Sequence, residues 1–367
     1  MIKSFVSLLR KKIFFYNPSK ANIVIFGSFV KNFSFGKNIS YLLIDNQIYF
    51  FVLFKSFFKH FLNRKFNSLN DCYFYELIMH VSPKLAIGNE INQNIFKFKR
   101  FFPEKISIGY QIVYWSNIHK FFINHNFGNK KNYACDYFLI FNKRSIKYLN
   151  FIKTKFIVTG SIKNNFNLIN NRKKNYDLLL ISDYREPGNL KLRDKLSLKV
   201  RANYYKYSSK LLSYIKEFAK KNELKICVAL ASSRNEKKHY NFLKKEIIFY
   251  KKYLGDYIAG NEPAHILASK SKMVISFWST LGFELLAQKK RVLFLSPKFT
   301  DFWDKFPSIN GFNWSQELDQ EKILKKISNN FLKSEKQWLQ QTKKLRSSII
   351  HFDPNNTILK NIIRDNI

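Results

Sequence analysis

Cysteine is scarce in this chain: Cys72, Cys135 and Cys227 are the only three in 367 residues, and they lie far apart. No Cys-x-x-Cys spacing occurs, which excludes a disulfide framework and a cysteine zinc site and fits a reducing cytoplasm. The seven histidines show no metal-ligand spacing, and His60 and His80 fall in aromatic-rich helical stretches as core or surface residues. There is no Gly-x-x-x-x-Gly-Lys-Ser/Thr loop, no Gly-x-Ser-x-Gly elbow, no His-Glu-x-x-His helix and no Asp-x-Asp metal motif. These absences remove P-loop, α/β-hydrolase and zincin chemistry. No apolar run reaches the roughly 18–20 residues of a spanning helix. Ile48 to Phe61 comes nearest, and Lys55 and Lys59 interrupt it. Met1 to Tyr16 is apolar first and basic afterwards at Arg10, Lys11 and Lys12, the reverse of a signal peptide, so a first helix with an apolar face is expected.

Acid is scarce too. Asp plus Glu number 25 against 64 Lys plus Arg, a formal charge of +39. Such an excess favours an anionic partner, whether nucleic acid, lipid headgroup or acidic glycan. A nucleic-acid domain usually gathers its charge in one motif, whereas here Lys is spread among Phe, Ile, Asn and Tyr. Codons for those residues are A/T-rich, so part of the bias belongs to the genome, and nucleic acid is not the expected main partner. The length accommodates two domains with full cores.

What is present is an alternation of short apolar runs with amphipathic stretches. Asn22–Phe26, Tyr41–Asp45, Leu85–Gly88, Ile106–Gly109 and Tyr137–Phe141 read as strands. Asn46–Arg64 and Asp71–Val81 read as helices, the second stopped by Pro83. The second half repeats the pattern with strands at Asp177–Ile181, Ile226–Leu230, Lys272–Ser276 and Arg291–Leu295, and helices at Lys210–Asn222 and Pro263–Lys270. Glu186–Ala202, polar and containing Gly188, reads as a mobile loop, and the chain after Trp314 as helical. The expectation is an α/β protein with two Rossmann-like domains, a central cleft and a helical C-terminal tail. The domains are expected at 1–156 and 157–340, with a tail of 341–367 whose last helix crosses back to the first.

Ligands of open parallel sheets bind beyond the carboxyl ends of the strands, so polar residues there are the site candidates. In the second half these are Gly160-Ser161, Ser182-Asp183-Arg185, Ser233-Arg234 and Ser279-Thr280. Ser279 and Thr280 open a short helix, where free N–H groups and the helix dipole favour a phosphate. Glu284, one turn on, is in reach of a sugar hydroxyl. The competing reading is that Ser279 is a plain N-cap and Gly282 merely lets helix and sheet pack closely. Arg185 and Arg234 offer forked donors to a phosphate or a carboxylated sugar. In the first half, Asn89, Glu90 and Gln111 follow strands on the acceptor side. Glu90 is the candidate base for an attacking hydroxyl, with Asp45 as the alternative. His265, after Glu262-Pro263, is a phosphate candidate whose competing role is a helix surface.

Four segments carry a resemblance: Pro83 to Asn92, Pro103 to Gln111, Phe156 to Asn165 with Gly160-Ser161 and Asn164-Asn165, and Val274 to Ala287 with Ser-Thr-Leu-Gly-Phe-Glu. They resemble a bacterial family of surface carbohydrate biosynthesis proteins similar to GT-B glycosyltransferases and, more distantly, to sugar-nucleotide epimerases of that fold. The likeness spans roughly residues 20 to 315 and is looser in the first half. There the family tends to have Asp-Asn where this chain has Asn89-Glu90, and Gln-Asn-Gly where it has Gln111-Ile112-Val113. The resemblance implies transfer of a sugar from a nucleotide-sugar donor to a glycan or lipid-linked glycan acceptor, with no bound cofactor and no obligatory metal. A cytoplasmic protein is expected, peripheral on an anionic inner membrane face through Met1–Lys12 and Phe50–Lys65, where Phe and Leu accompany Arg10, Lys11, Lys12, Lys55, Lys59, Arg64 and Lys65; the competing reading makes these Phe residues core and the Lys merely solvated. An epimerase, or a non-catalytic glycan- or nucleotide-binding partner, stands as the alternative.

Overall fold

The structure is a computed structural model. It describes residues 12–27, 33, 35, 38–44, 47–62, 66–114, 133–166, 173–184, 195–230, 240–277, 279–296, 306, 308 and 310–367, with backbone only at 195–204 and 240. Two compact units emerge, one of Met1–Ile112, Ile123–Lys163 and Asp353–Ile367, the other of Val113–Phe122 and Asn164–Phe352. The sequence places the first break at 156/157 and begins the tail at 341. In the structure the strand ending at Val158 still pairs within the first sheet, and the helix through Ile349 stays with the second unit.

In the first unit the strands are β1 (Lys12–Phe14), β2 (Ile23–Phe26), β3 (Tyr41–Ile44), β4 (Gln47–Tyr49), β5 (Leu85–Asn89), β6 (Ile106–Tyr110), β7 (Ala134–Ile140) and β8 (Lys153–Val158). Among the described residues, six of them form a parallel sheet in the order β3-β2-β5-β6-β7-β8. β2 and β5 are buried along their whole length, which is why they read as unbroken apolar runs rather than alternating ones. β1 and β4 pair with each other in parallel, so Lys12–Phe14 is strand and not part of a first helix. Helix Phe50–Leu62 follows β4 and lies on helix Leu69–Val81, burying Val52 and Ser56. The second helix is capped by Ser68, which accepts the Asp71 N–H at 3.1 Å, and ends at Ser82 in the left-handed region just before Pro83. Within the same unit, the tail returns through Asn356, whose Nδ2 donates to the Ile162 carbonyl at 2.9 Å, and helix Thr357–Asp365.

The second unit contains β9 (Tyr176–Ile181), β10 (Ile226–Ala229), β11 (Ile258–Gly260), β12 (Ser271–Ser276), β13 (Val292–Leu295), β14 (Asn310–Gly311) and β15 (Trp314–Ser315). Their order is β11-β10-β9-β12-β13-β15-β14, parallel except for the β14–β15 pair. Leu178, Leu180, Val228, Met273, Ile275 and Leu293 form the centre of the core, with Leu212 and Ile215 of helix Lys195–Lys221 above them. That helix corrects the expected loop over Glu186–Ala202: Gly188 is the last glycine before Gly255, so no breaker interrupts the helix once it starts at Lys195. The rest of the expected loop lies outside the described residues. Helices Gln320–Leu332 and Glu335–Ile349 close the unit, the second begun by a Ser334/Gln337 capping box.

Candidate functional site

Helix Thr280–Ala287 leaves the carboxyl end of β12. Phe283, Leu285 and Leu286 are fully buried and fasten it to the sheet. Gly282 allows the close approach: a methyl group there would stand 2.6 Å from Ser276 Oγ and 2.9 Å from the Phe294 ring. Ser276, the polar residue that ends β12, is itself buried with no hydrogen-bond partner for its hydroxyl. The Ser279 carbonyl accepts the Gly282 N–H at 3.0 Å, but its hydroxyl makes no capping bond. The helix start therefore lacks a side-chain cap, the condition under which its N–H groups and dipole take an anion.

Thr280 Oγ1 accepts the Tyr114 N–H at 3.3 Å, which leaves the hydroxyl proton to donate. The Tyr114 ring stacks on Phe283 with centroids 4.4 Å apart and Phe283 stacks on Phe294 at 4.5 Å, so one aromatic column braces the first turn. Glu284 is buried one turn further on. Its carbonyl accepts Asn164 Nδ2 at 3.0 Å, and Gln288 Nε2 donates to Asn164 Oδ1 at 2.7 Å. The two sharpest sequence motifs are thus tied together through Asn164.

The other expected phosphate residues fare differently. Ser182 Oγ donates to Glu246 and accepts from the Tyr250 hydroxyl at 3.0 Å and the Tyr184 N–H at 3.2 Å. Burial pushes the Tyr250 phenol up, against its bond to Ser182, and the charges of Asp183 and Glu246 add to the rise. Ser182 thus belongs to a buried network under helix Tyr240–Leu254. Gly160 and Ser161 follow β8, at the edge of the first sheet, so they do not share neighbouring strand ends with Ser182 and Ser279 as expected. Gly160 does take the left-handed backbone, φ +74°, that glycine adopts most readily. Arg185, Arg234, Ser233 and Asp45 lie outside the described residues. His265 sits half-buried on helix Ala264–Ser269.

In the first unit Asn89, Glu90 and Gln111 stand at the ends of β5 and β6 as expected, and each holds backbone. Asn89 Oδ1 accepts the N–H groups of Ile91 at 3.0 Å and Asn92 at 3.1 Å, fixing a turn. Glu90 is fully buried, and its Oε2 accepts the Ile112 N–H at 2.7 Å. Gln111 Oε1 accepts the Phe141 N–H at 2.9 Å. Burial raises the neighbouring Tyr110 phenol above the usual tyrosine range; its bond to Asn89 opposes the shift and the Glu90 charge adds to it. Sequence reasoning passed over Asn92, which lies against Gly27, and over Ser276 and Tyr114. Only Ser276 had a legible mark, a lone hydroxyl closing an apolar strand.

The fold, two α/β units each built on a largely parallel sheet, is GT-B-like. The S. aureus MnaA–UDP co-structure is similar in fold, with a TM-score of 0.54 at 13% identity over 97% of this chain and 96% of that one. So is the UDP-GlcNAc 2-epimerase of Methanocaldococcus jannaschii in complex with UDP-GlcNAc and UDP, at 0.50 and 11% over 94% and 99%. Residues 111–367 match the family described as "putative O-antigen biosynthesis protein", and the chain belongs to that family. Among curated proteins, a ribosomal operon-associated A protein of Euglena longa is 33% identical over 175 residues, 45% of this chain. The match spans 29% of that relative's length.

Proposed function

We propose that this protein is a glycosyltransferase of surface-polysaccharide assembly, moving a sugar from a nucleotide-sugar to a glycan acceptor. The observation that carries the reading is the start of helix Thr280–Ala287, uncapped by Ser279, braced by Tyr114 and followed by the buried Glu284. Its N–H groups, with the Ser279 and Thr280 hydroxyls, take the donor's phosphate and stabilise the negative charge that grows on it as the glycosidic bond to the sugar breaks. Glu284 accepts from a sugar hydroxyl. Proton removal from the acceptor hydroxyl is assigned to Glu90, whose carboxylate the Ile112 N–H holds in one orientation. Membership of an O-antigen biosynthesis family supports the polysaccharide setting. The likeness to the MnaA–UDP co-structure and to a UDP-GlcNAc 2-epimerase in complex with UDP-GlcNAc and UDP supports the fold, and through it a nucleotide-sugar as ligand.

The experiment is incubation of the purified chain with labelled sugar nucleotides, with and without a glycan acceptor. Label transferred only when acceptor is present supports the proposal. Conversion of the sugar without acceptor moves the assignment to an epimerase. Nucleotide binding with neither reaction moves it to a non-catalytic partner.

A further inference from the structure

We infer that the outer face of helix Phe50–Leu62 is a docking platform for an anionic lipid surface. This inference concerns the first unit alone and does not rest on the nucleotide reading. Phe50, Phe51, Phe54, Phe57, Phe58 and Phe61 are all exposed, by 38% to 58%. They sit on one side of the helix because Val52 and Ser56 occupy the other, against helix Leu69–Val81. Their rings touch in succession, Phe50 to Phe54, Phe54 to Phe58 and Phe57 to Phe61, with centroids 4.7–6.3 Å apart. Leu62, 86% exposed, extends the patch at one end, and Phe15 meets Phe50 at the other. Six exposed phenylalanines in one contiguous patch are far more than an ordinary soluble surface carries, and a patch of this kind marks an interaction site.

Charge selects the partner. Among the described residues up to position 70 the charged side chains are four lysines, Lys12, Lys20, Lys55 and Lys59, with no carboxylate. Glu76, on the helix beneath, is buried and already shared by Lys55 and Lys59. A second copy of the chain would bring the same cationic surface against itself, whereas anionic headgroups complement it. The rings pack on one another, stacked at Phe50–Phe54, edge to face at Phe54–Phe58 and Phe57–Phe58 and tilted at Phe57–Phe61, and so form a continuous apolar ridge rather than separated plates for nucleobases. At 13 residues the helix is ~20 Å long, too short to cross a bilayer, and it suits the interfacial plane with its phenylalanines at the headgroup boundary. Lys55, paired with Glu76 at 3.0 Å, still exposes 72% of its side chain at the flank, on the side of the headgroups.

The test uses the full chain and sedimentation with vesicles. The parent protein should pellet with phosphatidylglycerol-containing vesicles in low salt, stay in solution with pure phosphatidylcholine, and be released by high salt. A variant carrying Phe54→Ser, Phe57→Ser and Phe58→Ser, with unchanged circular dichroism, should bind about tenfold less. Parent protein left in solution with anionic vesicles, or a triple variant that binds as well as the parent, overturns the inference. So does a parent dimer that the triple substitution turns into a monomer, which assigns the face to a second copy. So does single-stranded RNA bound through the same residues while vesicles are ignored.

Discussion

Gly282→Ala tests the contact that sets the height of the candidate site above the sheet. In an ordinary helix interior this change stabilises by about 1 kcal/mol, because alanine loses less backbone freedom than glycine. Here the added methyl would lie 2.6 Å from Ser276 Oγ, 2.7 Å from Ser276 Cβ and 2.9 Å from Phe294 Cε1. Ser276 Cβ is fixed to a central strand, and the Phe294 ring is held between Phe283 at 4.5 Å and Phe306 at 5.3 Å. Neither neighbour can step aside cheaply, so overpacking of about 1–3 kcal/mol outweighs the propensity gain. The expected net loss is about 1 kcal/mol, read as a lower urea midpoint at unchanged slope. Removing the obstacle with Ser276→Gly in the same chain should recover at least ~0.5 kcal/mol as coupling between the two positions. A Gly282→Ala protein more stable than the parent by the propensity alone refutes the close-approach argument, and with it the claim that this helix is pinned to β12.

Thr280→Val removes the hydroxyl while keeping the shape, and should weaken nucleotide binding by about 1–3 kcal/mol in calorimetry; unchanged affinity with the fold intact reduces Thr280 to a helix-start residue. Glu90→Gln keeps an oxygen for the Ile112 N–H but cannot take a proton, so the fold should survive and transfer should fall about a hundredfold or more; full transfer removes Glu90 as the base. Lys290 is buried, with its ammonium donating to the Ser271 carbonyl, and burial with Lys174 nearby lowers its pKa to about 7. Between that value and its ordinary 10.5 the unfolded chain binds a proton the folded chain has released, so its contribution to stability rises with pH across this window, by up to ~1.4 kcal/mol per unit. Lys290→Met should flatten that rise in denaturation midpoints from pH 7 to 10, and parallel curves for the two proteins refute it.

The sequence by itself determined the α/β alternation and most strand positions. A parallel strand covered on both faces must be apolar throughout, and Ile23–Phe26, Leu178–Ile181 and Val292–Leu295 announce themselves in that way. It also marked Ser279 to Glu284 and Gly160 to Asn165 as unusual. What those residues touch was a tertiary matter. That β8 completes the first sheet follows from pairing with β7, a contact no local pattern encodes. Ser182 looked like a free hydroxyl at a strand end until Glu246 and Tyr250, more than 60 residues on, claimed it. The phenylalanines of Phe50–Leu62 read equally as core or surface, because every face of that helix carries apolar residues. Only the packing of Val52 and Ser56 against Leu69–Val81 decided which side faces the solvent. Periodicity reports which residues share a face, and the fold alone chooses which face is covered.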